Sequence, residues 1–167
     1  MPVWAEETTC ARPAREVRFP VMFRRIVCPT DFSAPARKAA TYAAGLAKSC
    51  GAELVLLHVV AEIAYPMRSL GTVTAFPNLQ EELHRRAADE LEDERKLLGE
   101  GVTIRTEMRD GEVHEQILES AQANSCDLIV IGTHGHTGLK HMLLGSTAER
   151  VVRMSEVPVL TVRTSGD

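Results

Sequence analysis

Apolar residues along this 167-residue chain come in two kinds of run. Some are short and continuous: RIVCP at Arg25–Pro29, ELVLLHVV at Glu53–Val60 and DLIVI at Asp127–Ile131. Such runs predict strands buried on both faces. VTIRTEM at Val102–Met108 alternates as a strand does, and Val159–Arg163 after Pro158 predicts a last strand. Between these runs the period changes. Ala36, Ala39, Ala40, Ala43, Leu46, Ala47 and Cys50 recur at helical spacing, with Ser33 placed to cap the start and Gly51 the end. That face is mostly alanine, so the helix can lie close to what it covers.

Asn78 and Glu81 resemble a capping box opening a charged helix to about Leu98. Glu112–Ala123 carries Val113, Ile117, Leu118 and Ala121 at helical spacing, and Ser146–Met154 predicts a further helix. Residues 61–76 contain Pro66 and Gly71 without a consistent period and read as loop. Strand and helix alternate throughout. The fold class is therefore α/β: an open five-stranded parallel sheet with helices on both faces. In such sheets ligands bind beyond the carboxyl ends of the strands, where strand order reverses. Two strands have unusual carboxyl ends, the first running into Pro29-Thr30-Asp31 and the fourth into Gly132.

Composition narrows the class. A hydrophobic content of 44% over 167 residues suits one domain with a proper core. A formal charge of −4 argues against a dedicated nucleic-acid binder, and no stretch approaches a membrane span. The first 23 residues lack periodicity and a continuous apolar segment of the signal-peptide kind, so they read as a weakly ordered tail, with residues 24–167 as the folded domain. Met22 is a candidate translation start. Cys10, Cys28, Cys50 and Cys126 form no CxxC pair and read as reduced cysteines, which points to the cytoplasm.

The chemistry concentrates in GTHGHTGLKHMLLGST, Gly132–Thr147. Gly132, Gly135 and Gly145 allow positive φ and close approach of a bulky anion. A helix opening at Ser146 adds unpaired N–H donors and the positive end of its dipole. Together they read as a phosphate cradle, with the Ser146 and Thr147 hydroxyls as further donors. No GKS or GKT follows at P-loop spacing, and the first strand–helix turn has no GxGxxG.

The spacing G-x2-G-x9-G-(S/T), with PTDFS after the first strand and LLHV in the second, resembles the universal stress protein family over roughly Phe23 to Arg163. The glycine pattern is similar to that of the ATP-binding members. The resemblance implies a Rossmann-like sheet of the adenine nucleotide alpha hydrolase kind. It implies ATP as ligand, with Mg²⁺ carried on the phosphates. Pro29, Thr30 and Asp31 would line the adenosine side, Val59 would meet adenine through its backbone, and Ile131 and Gly132 would lie against the ribose. Gly135, Gly145, Ser146 and Thr147 would hold the phosphates. Asp31 suits that assignment: it can accept from an adenine amino group or a sugar hydroxyl, and would repel phosphate.

His134, His136 and His141 match neither HExxH nor a structural zinc spacing and read as solvent-exposed loop residues. His136 and Lys140 are candidates for reaching a γ-phosphate. His58 reads as a packed core residue. No Ser-His-Asp set, dedicated acidic metal pair or Walker lysine is evident, so the favoured reading is a nucleotide-dependent regulatory module in the stress response. Two alternatives stay open: a partner-binding stress module with an empty pocket, and a slow ATP-hydrolysing enzyme. If the last strand forms the sheet edge, Val159–Val162 invite pairing with a second copy, so a homodimer is expected.

Overall fold

The computed structural model describes residues 23–61, 79–133 and 144–163. Among these residues five parallel strands and four helices alternate: β1 (Arg25–Pro29), α1 (Ala34–Cys50), β2 (Glu53–Val60), α2 (Leu79–Leu97), β3 (Thr103–Asp110), α3 (Val113–Ala123), β4 (Leu128–Gly132), α4 (Ser146–Met154) and β5 (Val159–Val162). The readings for residues 1–22, the 62–76 loop, the Asn78 cap, Gly135, Lys140 and the three loop histidines lie outside the described residues.

Strand order is β3-β2-β1-β4-β5. The chain builds outward from β1 to β3, crosses back, and builds the other way through β4 and β5. The order therefore reverses between β1 and β4. Side chains alternate across the sheet and sort into two cores. Ile26, Cys28, Leu54, Leu56, Leu128 and Val130 pack with the alanines of α1 and Leu91 of α2. Val27, Val55, Leu57, Ile129 and Ile131 pack with Ile117 of α3 and Val151 of α4. Continuous apolar runs in β1, β2 and β4 are what a strand covered on both faces needs.

The local signals act where expected. Ser33 Oγ accepts the Ala36 N–H at 3.3 Å, and Gly51 ends α1 with φ 68°. Ala39, Ala40, Ala43 and Ala47 are fully buried, so α1 sits close on the sheet. Some boundaries move. β3 starts one residue later than its alternation suggests and runs on to Asp110, because its pairing with β2 continues to Val60↔Asp110. α3 begins at Val113, with Glu112 as its extended N-cap residue. β4 runs from Leu128 through Gly132, since Gly132 pairs with Val162, where β5 ends.

The β1–β4 junction is also tied at its opposite end. The Asp127 carboxylate accepts the Arg24 N–H at 2.8 Å and the Arg25 N–H at 3.2 Å. A carboxylate bonded to two backbone donors fixes the register between the strands whose far ends bound the cavity described next.

Candidate functional site

At the carboxyl ends of β1 and β4 lies a cavity of about 320 Å³. That is within the range of small-ligand sites, about 300–1,000 Å³. Pro29, Thr30 and Asp31 line it from β1 and its following turn, and Val59 from the end of β2. Ile131 and Gly132 come from β4, and Gly145, Ser146 and Thr147 from the start of α4. Nine of the ten residues singled out from sequence thus meet at one cavity; the tenth, Gly135, lies outside the described residues. Ala36, Val113, Ile117, Thr133 and Ala148 also line it and were not anticipated. Ala36, Val113 and Ile117 carried only the helical period that marks core positions, and Thr133 and Ala148 carried no signal of their own. The first three reach the cavity because α1 and α3 flank the switch point, whereas Thr133 directly follows β4 and Ala148 lies in the first turn of α4.

The α4 end supplies donors. Gly145 is its N-cap, with φ −70° and ψ 154°. This corrects one part of the sequence reading: Gly145 has no positive φ, and Gly132 is ordinary strand backbone. What glycine contributes at position 145 is the lack of a capping side chain. The Gly145 N–H is taken by the Thr133 carbonyl at 2.7 Å. The N–H groups of Ser146, Thr147 and Ala148 have no acceptor within the helix, as at any helix start. These three residues line the cavity at the positive end of the α4 dipole.

The β1 end supplies an acceptor and a shaped turn. Asp31 Oδ1 accepts from the Ser33 N–H at 3.1 Å and from the Ser33 hydroxyl at 2.5 Å, so the cap of α1 also orients the carboxylate. Thr30 is buried; its N–H donates to the Leu57 carbonyl at 2.8 Å and its hydroxyl to Glu94 Oε2 at 2.9 Å. Glu94, on α2, is only 3% exposed. Burial pushes its carboxyl above the usual range, against the Thr30 hydrogen bond and the charge of Arg37, which lower it. His58 is half-buried rather than packed inside the core: its Nδ1 lies 2.8 Å from the Thr30 carbonyl and its ring stacks on Phe32. A carbonyl only accepts, so Nδ1 carries the proton.

The cavity lining is therefore of three chemical kinds: the apolar side chains of Val59, Val113, Ile117 and Ile131, the acidic acceptor Asp31 after β1, and the first residues of α4. A ligand with a flat apolar group, hydroxyls and an anionic tail suits that lining. Among the described residues no three His, Cys, Asp or Glu side chains gather to hold a metal ion. Nor is any described helix long and apolar enough to cross a membrane.

A doubly wound parallel sheet with its cavity at the switch point puts the protein in the Rossmann-like α/β class. Residues 22–163 match the universal stress protein family profile. The chain belongs to the universal stress protein family. Universal stress protein MJ0531 of Methanocaldococcus jannaschii is 38% identical over 143 residues, covering 85% of this chain and 83% of the relative. The solved structure of MJ0577, from the same organism, superposes with a TM-score of 0.75 at 34% identity, covering 88% of this chain and 100% of that one. A universal stress protein solved in complex with cAMP is 26% identical, with a TM-score of 0.59 over 86% of this chain and 98% of that one.

Proposed function

We propose that this chain binds ATP at the β1–β4 cavity and acts as a nucleotide-dependent regulatory module in the stress response. The observation that carries the reading is the mixed lining of one cavity: the Asp31 carboxylate after β1, the N-terminus of α4 without a capping side chain, and apolar walls from Val59, Val113, Ile117 and Ile131. Adenine and ribose lie against Pro29, Thr30, Asp31, Val59, Ile131 and Gly132. The phosphates lie on the backbone of Gly145, Ser146 and Thr147, with Gly135 completing the cradle, and Mg²⁺ arrives on the phosphate oxygens. Residues 24–167 form the binding unit, residues 1–23 are a tail, and the protein works in the cytoplasm.

The module is a homodimer. Among the described residues β5 is an edge strand, and Leu160 on it is 41% exposed, so an apolar edge is offered to a second copy.

Calorimetric titration of nucleotide-free protein with Mg-ATP tests the reading, with ADP, AMP and cAMP as competitors, since a relative is complexed with cAMP. A dissociation constant near 1–100 μM, about −8 to −5.5 kcal/mol, is expected. No heat and no competition from any adenine nucleotide would leave the partner-binding alternative in its place.

A further inference from the structure

Phe32 has φ 62°, in the left-handed region that a bulky aromatic residue rarely occupies. Such a conformation persists where its surroundings over-determine it. Its N–H donates to Thr30 Oγ1 at 3.0 Å, and its ring lies on His58 with centroids 4.5 Å apart. Thr30 is the hub of this arrangement. Its hydroxyl has a single proton, and that proton goes to Glu94 Oε2, 64 residues away in sequence. With the proton committed, the oxygen's lone pairs are turned toward the Phe32 N–H.

Glu94 is an unusual residue for this place. Its second oxygen is buried and has no hydrogen-bond partner among the described residues. An apolar side chain of the same size would pack there without that cost. Arg37 from α1, Asp31 from the turn, Cys28 from β1 and Glu90 from its own helix act on it electrostatically. None of them donates a hydrogen bond to the carboxyl.

We infer that Glu94 is a positioning residue for the cavity: by taking the Thr30 hydroxyl proton it fixes the Thr30–Phe32 turn, and with it the placement of Asp31. It also links α2 to the ligand side of β1. The inference rests on the nucleotide reading for the identity of the ligand, whereas the turn geometry can be tested without one.

Two variants separate positioning from packing. Glu94→Gln keeps an oxygen that accepts the same proton, and Glu94→Leu removes the acceptor while filling the space. Mg-ATP affinity is measured by titration, and exchange of the Phe32 amide is followed in the ligand-free protein. Glu94→Gln is expected within about twofold of wild type in both, because the hydrogen bond survives. Glu94→Leu is expected to lose about five- to tenfold in affinity and to speed Phe32 exchange by a similar factor. Wild-type affinity and wild-type Phe32 protection in Glu94→Leu would overturn the inference. If that variant does not fold, Glu94→Met, with its adaptable apolar chain, takes its place. Failure of both to fold would assign Glu94 to stability alone and equally overturn it. A wild type that binds no nucleotide would sink the ligand reading, and Phe32 exchange would still decide the role of Glu94.

Discussion

Gly145→Asp separates the stability of α4 from its use as an anion site. The backbone at position 145, φ −70° and ψ 154°, suits any residue, so the substitution adds no backbone strain. An aspartate at an N-cap accepts from the second or third helical N–H, here Thr147 or Ala148. Relative to glycine the cap is worth a few tenths of a kcal/mol, and the charge at the helix start adds about 0.3–1 kcal/mol. Together, roughly 0.5–1.5 kcal/mol should raise the melting temperature of a chain this size by ~1–6 °C. The effect on an anionic ligand has the opposite sign. The donors meant for phosphate are now occupied, at about 1.5–3 kcal/mol per bond to a charged group. A carboxylate about 4 Å from a phosphate charge also repels it by ~4 kcal/mol at an effective dielectric constant near 20. The smaller loss alone is about tenfold in affinity, and both together exceed a hundredfold.

Thermal melts and Mg-ATP titrations of Gly145→Asp, Gly145→Ser and Gly145→Ala, at one salt concentration, resolve the contributions. Serine caps without a charge, so its affinity should fall between those of alanine and aspartate. A Gly145→Asp protein that melts higher yet binds ATP like the wild type would refute the reasoning. The cap would then have formed, and the α4 donors would have no part in holding phosphate.

Other expectations concern the fold and its assembly. Ile117 is fully buried and lines the cavity, so Ile117→Ala should cost about 2–5 kcal/mol by chemical denaturation; a loss under ~1 kcal/mol would mean that the cavity wall collapses freely. Burial pushes the Glu107 carboxyl up, but hydrogen bonds from Arg109, Asn124 and Ser120 outweigh it and hold the group below its ordinary 4.5. Its stabilisation is therefore present above that value and is lost as pH falls through the lower folded value. Melting temperature against pH should accordingly fall less steeply below pH 4.5 in Glu107→Gln, and identical slopes would contradict the assignment. Leu160→Lys should turn a dimer into a monomer by light scattering, whereas a monomeric wild type at micromolar concentration would remove the edge-pairing proposal.

Much of the architecture was legible in the residues themselves. Runs such as LVLL in β2 and LIVI in β4 announce strands covered on both faces, because only such strands can afford no polar side. The alanine face of α1, with Ser33 and Gly51 at its ends, reports its own limits through local hydrogen bonding and backbone freedom. The glycine spacing after β4 and the PTDFS turn after β1 marked the two halves of the cavity. Where the signal was weak, the reading slipped. β3 is an edge strand with Arg105, Glu107 and Arg109 in its run, so its end was set by pairing with β2 rather than by its own pattern.

Tertiary structure alone decided which elements meet. Nothing in the periodicity of β1 or β4 says that they are neighbours, yet their adjacency creates the cavity. Phe32 in a left-handed conformation, His58 against Thr30, and Glu94 reaching Thr30 from α2 were likewise invisible in the sequence. Glu94 sits in the charged run DELEDERK, where by pattern it is one more solvated carboxylate. Periodicity measures how far each element is buried and on which side. The partner that buries it is chosen by packing over the whole chain, and there the Thr30–Glu94 hydrogen bond and the left-handed turn at Phe32 acquire their meaning.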